Sequence, residues 1–280
     1  MSDEIIALAK QHYEAVRDLL LPVELTPEWQ KHRIVAAEAI PFFSTAQEAI
    51  YWAQTPSNAW FDHRVNANRE LLADKKKQFQ ACFPGIWLRG ESSWSRPETV
   101  WNDGELFLSN MTFWHHQALV VATIKVPRPK RILEIGVGYG GLAYLFQLAQ
   151  PDCRYVLCDT PETLFFAEVF LRSNFPRTSC AWGWADSAHF VFLPLSLRGL
   201  AAADYDLIIA QGSFQEMTPE ALAWWMGFCQ RNARHLYSLN YAITPIPLEG
   251  WEIVHDEVDP PLVLGDTGSG WRELVLRREP

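Results

Sequence analysis

Near the start of the chain Ile5, Leu8, His12, Val16 and Leu19 recur every three or four positions, which predicts a helix with Ser2 available as its N-cap. Thr26-Pro27-Glu28 sets a capping hydroxyl before a proline at the first helical position, and Thr45-x-x-Glu48 has the form of a capping box, so two further helices are expected. Another is expected from about Arg64 to Gln80. From Cys82 to Gly104 turn formers take over, among them Pro84, Gly85, Gly90, Pro97, Asn102 and Asp103, and the stretch reads as a linker or substrate loop.

After Leu106 a helical stretch runs to about Lys125, stopped by Pro127 and Pro129. From there short apolar runs alternate with helical ones. Arg131–Ile135 is a buried strand followed by glycines and an apolar helix, Gly141–Gln150. Strands are expected at Arg154–Cys158, at Thr178–Trp184, at Asp206–Ala210 and at Arg234–Asn240. Thr160-Pro161-Glu162 and Thr218-Pro219-Glu220 open helices by the signal seen at Thr26. Such alternation implies a parallel sheet covered on both faces and wound by right-handed crossovers. Trp251–Asp256 and Trp271–Arg278, separated only by turn formers, read as an antiparallel hairpin closing it. Two regions are therefore expected, a helical N-terminal one over residues 1–104 and an α/β domain over 105–280.

Composition narrows the partners. Twenty-four Lys and Arg against 33 Asp and Glu give a net charge of −9, which speaks against broad contact with a nucleic-acid backbone. Five cysteines without a CxxC pair read as reduced core thiols, and with an acidic start and no long apolar run the expected location is the cytoplasm. There is no HxH or HxxxH pair and no compact carboxylate cluster at ligand spacing, so no metal is expected. Of the 13 tryptophans, seven fall in the first 114 residues, and Trp94 and Trp101 lie in the turn-rich stretch, where a flat indole can serve as a platform for an acceptor ring.

The chemistry concentrates in Ile132-Leu133-Glu134-Ile135-Gly136-Val137-Gly138-Tyr139-Gly140-Gly141, at a strand end and a helix start. Glycines there allow a sharp turn and close approach of a ligand, and the helix N-terminus offers free N–H groups. Gly136, Gly138 and Gly141 also satisfy the dinucleotide pattern GxGxxG. Glu134 separates the readings: its charge would repel a pyrophosphate but suits a cationic sulfonium amino acid. Asp159, at the end of the next strand, can take ribose hydroxyls with either cofactor.

With its CDTPE strand end, ILEIGVGYGG resembles motif I and its successor in class I S-adenosylmethionine-dependent methyltransferases. Ser213-Phe214-Gln215-Glu216-Met217 and Tyr237-Ser238-Leu239-Asn240 are similar to the sugar O-methyltransferase family of bacterial polysaccharide clusters. The resemblance implies a Rossmann-like sheet of order 3-2-1-4-5-7-6 with the last strand antiparallel. It implies S-adenosylmethionine as cofactor, with Gly136, Gly138, Tyr139 and Gly140 shaping the loop and Glu134 holding the ammonium. It further implies Asp159 on the ribose, Asp186 reading the adenine amino group, Trp184 covering the adenine face, and Gln211 near the methionine part. The chain departs from the pattern at Ala242–Gly250, a proline-rich segment where the fold usually carries a helix.

The activity so implied is methyl transfer to a hydroxyl of a sugar or polysaccharide precursor, which needs a base near the acceptor. Glu216, after the fourth strand, and His115 and His116, in the helix before the first, are the candidates. The alternatives are methylation of another small molecule at a hydroxyl or amine, an NAD-dependent oxidoreductase, and a carbohydrate-binding protein without activity. Against the oxidoreductase stands the long segment before the glycine loop. No sequence feature sets the oligomeric state.

Overall fold

The computed structural model describes residues 2–19, 25–54, 77, 80–81, 101–102, 107–108, 110–126, 128–185, 187–201, 203–260 and 270–279. The expected helix over 64–80, the turn-rich stretch 82–100 with Trp94, and Asp186 fall wholly or largely outside them. Helices α1 (Ser2–Val16), α2 (Pro27–Ala39) and α3 (Ala46–Ala53) come first. The capping box at Thr45 and Glu48 is complete, with both reciprocal hydrogen bonds made. Ser2 does something other than expected: its hydroxyl accepts from the Ala46 N–H at 3.2 Å, so it caps the start of α3 and ties that helix to α1.

A two-stranded ribbon, β1 (Trp101–Asn102) and β2 (Phe107–Leu108), precedes α4 (Asn110–Lys125). Then come β3 (Arg131–Ile135), α5 (Gly141–Ala149), β4 (Arg154–Asp159), α6 (Pro161–Asn174), β5 (Cys180–Trp182) and β6 (Phe190–Pro194). The chain goes on through β7 (Tyr205–Gln211), α7 (Pro219–Asn232), β8 (Ala233–Tyr241), β9 (Trp251–Val258) and β10 (Trp271–Arg278). Among the described residues the main sheet has eight strands in the order β5-β6-β4-β3-β7-β8-β10-β9, with β10 antiparallel to both neighbours. Leaving out β5, that is the order 3-2-1-4-5-7-6.

The third strand differs from the sequence expectation. The segment read as the third strand, Thr178–Trp184, supplies only the short edge strand β5, and the third strand of the core order is β6. Phe190–Pro194 is buried at every position, so it lacks the alternation that marks a half-exposed strand.

Between β8 and β9 no helix forms. Residues 242–250 run back along the sheet, turned at each end by the Thr244 N–H donating to the Tyr241 carbonyl and the Trp251 N–H donating to the Leu248 carbonyl. Pro245 and Pro247 suit an extended path, and Ile246 and Leu248 pack on the sheet in place of a helix.

Alternate residues of the strands divide the core in two. Ile132, Tyr155, Leu157, Phe190, Leu207 and Tyr237 face α4, α5 and α6, while Leu133, Val156, Val191, Ile208 and Leu236 face α7. The N-terminal helices share the first of these cores. Tyr13 and Phe43 meet Phe165, and Trp52 stacks on Phe166 with ring centroids 5.0 Å apart. As a result α6 is buried nearly all round. Two polar clamps fix the same contact. Glu168 is fully buried and accepts from His12 Nδ1, Arg172 Nε and Trp182 Nε1, and Arg33 forks onto Glu162.

Candidate functional site

The carboxyl ends of β3, β4 and β7 carry the chemistry. Beyond Ile135 the chain turns through Gly136 and Gly138, both with positive φ, at 79° and 51°. At Gly136 the requirement is doubled, because a Cβ would stand 2.4 Å from Ser213 Cβ. Ser213 in turn donates its hydroxyl to the Ile135 carbonyl at 2.7 Å, so the turn after β7 is bolted to the turn after β3. At Gly138 nothing among the described residues lies within 4 Å of where a Cβ would be, which leaves the backbone open to them on that side.

Asp159 holds the loop from the neighbouring strand. Its carboxylate accepts from the Val137 N–H at 2.7 Å and from the Thr160 N–H at 2.6 Å. Burial pushes its carboxyl up to about 6, against the pull of those two N–H groups. Glu134 is buried beneath the loop and accepts from the Tyr155 hydroxyl at 2.8 Å. Burial, with a smaller push from Asp159, raises it to about 8. Among the described residues its side chain has one hydrogen-bond donor, the neutral Tyr155 hydroxyl, so the carboxyl holds its proton until a cation arrives to pair with it.

Gln211 ends β7 and donates one amide hydrogen to the Trp114 carbonyl at 2.8 Å, and its carbonyl oxygen and second N–H complete its polar groups. Glu216 sits half-buried in the 3-10 turn Phe214–Glu216, just past Ser213. The turn is braced from β8: Asn240 accepts from the Phe214 N–H and donates to the Ala210 carbonyl, and Gln215 accepts from the Tyr241 N–H. Leu25 makes an antiparallel bridge to Met217, so the N-terminal region reaches this rim.

Several sequence expectations are placed elsewhere. His115 and His116 are both buried, and burial pushes each down to about 3, so neither gains a proton easily. His115 packs against the start of α5, where a Cβ on Gly141 would stand 2.5 Å from its ring, and Tyr139 turns its ring inward to Phe170. Trp184 lies beneath the Arg154 guanidinium, 4.9 Å away. The segment after β6, Leu195–Ala201, contains no acid, and Asp186 precedes that strand in the chain. The side chain of Trp101 lies outside the described residues.

Tyr155 is not singled out by the sequence, and Ser213 and Asn240 enter there only within a family resemblance, without the contacts they make here. A strand-end Asn and a Ser directly after a glycine were visible, but their partners come from other strands.

No family model matches the chain, and no curated protein does. Among solved structures, LaPhzM is 16% identical with a TM-score of 0.38, over 61% of this chain and 58% of that one. The magnesium protoporphyrin IX methyltransferase ChlM from Synechocystis PCC 6803, with bound S-adenosylmethionine, is 13% identical over 61% of this chain and 82% of its own, at a TM-score of 0.43. The 1,6-didemethyltoxoflavin-N1-methyltransferase of Burkholderia thailandensis is 16% identical over 60% and 79%, again at 0.43. The strand order itself gives the chain the Rossmann-like sheet of class I methyltransferases with a helical N-terminal extension.

Proposed function

We propose that the protein is an S-adenosylmethionine-dependent methyltransferase acting on a small molecule. One observation carries the reading: the buried carboxyl of Glu134 and the part-buried carboxyl of Asp159 flank a loop of left-handed glycines at the carboxyl ends of adjacent strands, under a helix N-terminus. A dinucleotide's pyrophosphate would meet Glu134 at that place, whereas an amino-acid ammonium would find its counter-charge there.

In this reading Glu134 takes the ammonium, the open backbone around Gly138 lies along the methionine chain, and Asp159 receives the ribose. Gln211 offers its carbonyl oxygen. Bound there, the cofactor supplies an electrophilic methyl group. Glu216 stands on the rim as the base that takes the acceptor proton, since the two histidines are held neutral inside the core. The first 104 residues are read as a cover on the acceptor side, supported by the Leu25–Met217 bridge.

Ser213 and Asn240, which carry the likeness to sugar O-methyltransferases, are taken up by bracing the turn after β7. They give the sugar hydroxyl no advantage over another hydroxyl or an amine. Calorimetric titration should show S-adenosylhomocysteine binding to the wild type and not to Asp159→Ala, with no heat from NAD. Binding of NAD alone would overturn the proposal. A radiolabelled methyl donor offered with sugars, phenols and amines identifies the acceptor, and Glu216→Gln should then lower turnover by about 10²-fold or more while leaving donor affinity unchanged.

A further inference from the structure

At the edge of the sheet Glu257 on β9 stands directly opposite Glu273 on β10. Like charges so placed repel each other, and here one of them is fully buried. His255, two residues before Glu257, turns its Nε2 between them, 3.2 Å from Glu273 Oε2 and 3.7 Å from Glu257 Oε2. One ligand atom from each of the three lies within 4.8 Å of the others. Two atoms bound tetrahedrally to one zinc-sized ion, each about 2.1 Å from it, are about 3.4 Å apart, which the two histidine separations of 3.2 and 3.7 Å match, and the two carboxylates lie within 4.8 Å of each other.

The surroundings are those of a held ligand set. Glu273 Oε1 accepts from the Tyr237 hydroxyl at 2.6 Å, and Oε2 accepts from Gln117 Nε2 at 2.8 Å. Gln117 is 2% exposed, and its own Oε1 is buried without a hydrogen-bond partner among the described residues. Turning that amide over would bring the orphaned oxygen to the place where a cation would sit. The side chains of His255 and Glu257 are 20% and 41% exposed, which leaves a way in. Local spacing could not show the group, because His255 and Glu273 are 18 residues apart and meet only through strand pairing.

We propose that His255, Glu257 and Glu273 bind a divalent transition-metal ion. The mixed imidazole and carboxylate set suits Zn²⁺. The ion clamps β9 to β10 and, through Gln117 and Tyr237, to α4 and β8. The competing occupant is a proton on His255, which would make the group a simple ion triad.

The test uses the full chain, stripped with a chelator and titrated with Zn²⁺ alone. One ion per chain should bind, and about a hundredfold excess over Kd should raise the thermal midpoint by about 5 °C. Glu257→Gln, an isosteric change at a half-exposed position, should weaken binding at least about tenfold, and His255→Asn should abolish it. Absence of saturable binding, or equal binding by Glu257→Gln, would overturn the metal reading in favour of the proton. No turnover enters the measurement, so it stands apart from the methyltransferase proposal.

Discussion

Gly136 and Glu134 show how narrowly single positions are set. At Gly136 a methyl group would have to share space with Ser213 and keep a positive φ, so Gly136→Ala should destabilise the chain by about 2 kcal/mol or more in denaturant unfolding and abolish donor binding. Glu134 has a pH consequence. Burial lifts it from an ordinary value of 4.5 to about 8, so between those limits the folded chain holds a proton that the unfolded chain has released. Its contribution to stability is full below about pH 4.5 and is lost as pH rises through 8. Glu134→Gln keeps an acceptor for Tyr155 and carries no ionisable proton. Melting curves across that window should therefore be flatter for the variant. Affinity of the wild type for a donor carrying an ammonium should rise with pH over the same range, and that rise should vanish in Glu134→Gln.

Elements built on local chemistry are the legible ones. Thr45, Thr160 and Thr218 each accept from a backbone N–H three residues on, as the sequence pattern implies, whereas Thr26 starts its helix without a side-chain cap, and replacing Thr218 by Ala should cost about 1 kcal/mol in urea unfolding. The strand Arg131–Ile135 and its glycines are equally plain, because a buried strand feeding a glycine turn leaves a dense mark in few residues. β6 is not, since an all-apolar run carries no period to read. The adenine-side assignment of Trp184 leans on a third strand at Thr178–Trp184, whereas the third strand of the core order is β6. The Glu168 clamp is beyond reach because His12 lies 156 residues from it. Between the elements themselves, Trp52→Ala removes the indole stacked on Phe166 and should destabilise by about 3 kcal/mol, read from the same unfolding curves.

For the whole molecule, the division at residue 104 is one of sequence character rather than of core. Phe165, Phe166 and Phe170 of α6 are buried, with the sheet on one side and the N-terminal helices on the other. A chain lacking residues 1–54 would expose that helix as an apolar face. It should be recovered as aggregate or as a strongly destabilised species by size-exclusion chromatography, although every residue of the glycine loop would still be present. No described helix is long and apolar enough to cross a membrane.

The proline-rich return from β8 to β9 acts as a ruler. Residues 242–250 must carry the chain from the carboxyl edge beside Trp271 to the opposite edge beside Arg278, a distance of about 25 Å at about 3.4 Å per residue of β10. Their full reach is about 35 Å, and the turns at each end consume the surplus. A helix at this point could fray or extend without moving β9, but a nearly taut cord cannot. Removing one residue, Ile246 for example, would drag β9 one step along its partner and reverse which side chains face inward, sending His255 and Glu257 to the far face together. The length of an irregular stretch, a departure from the usual fold, thus sets the pairing on which the outermost strand depends.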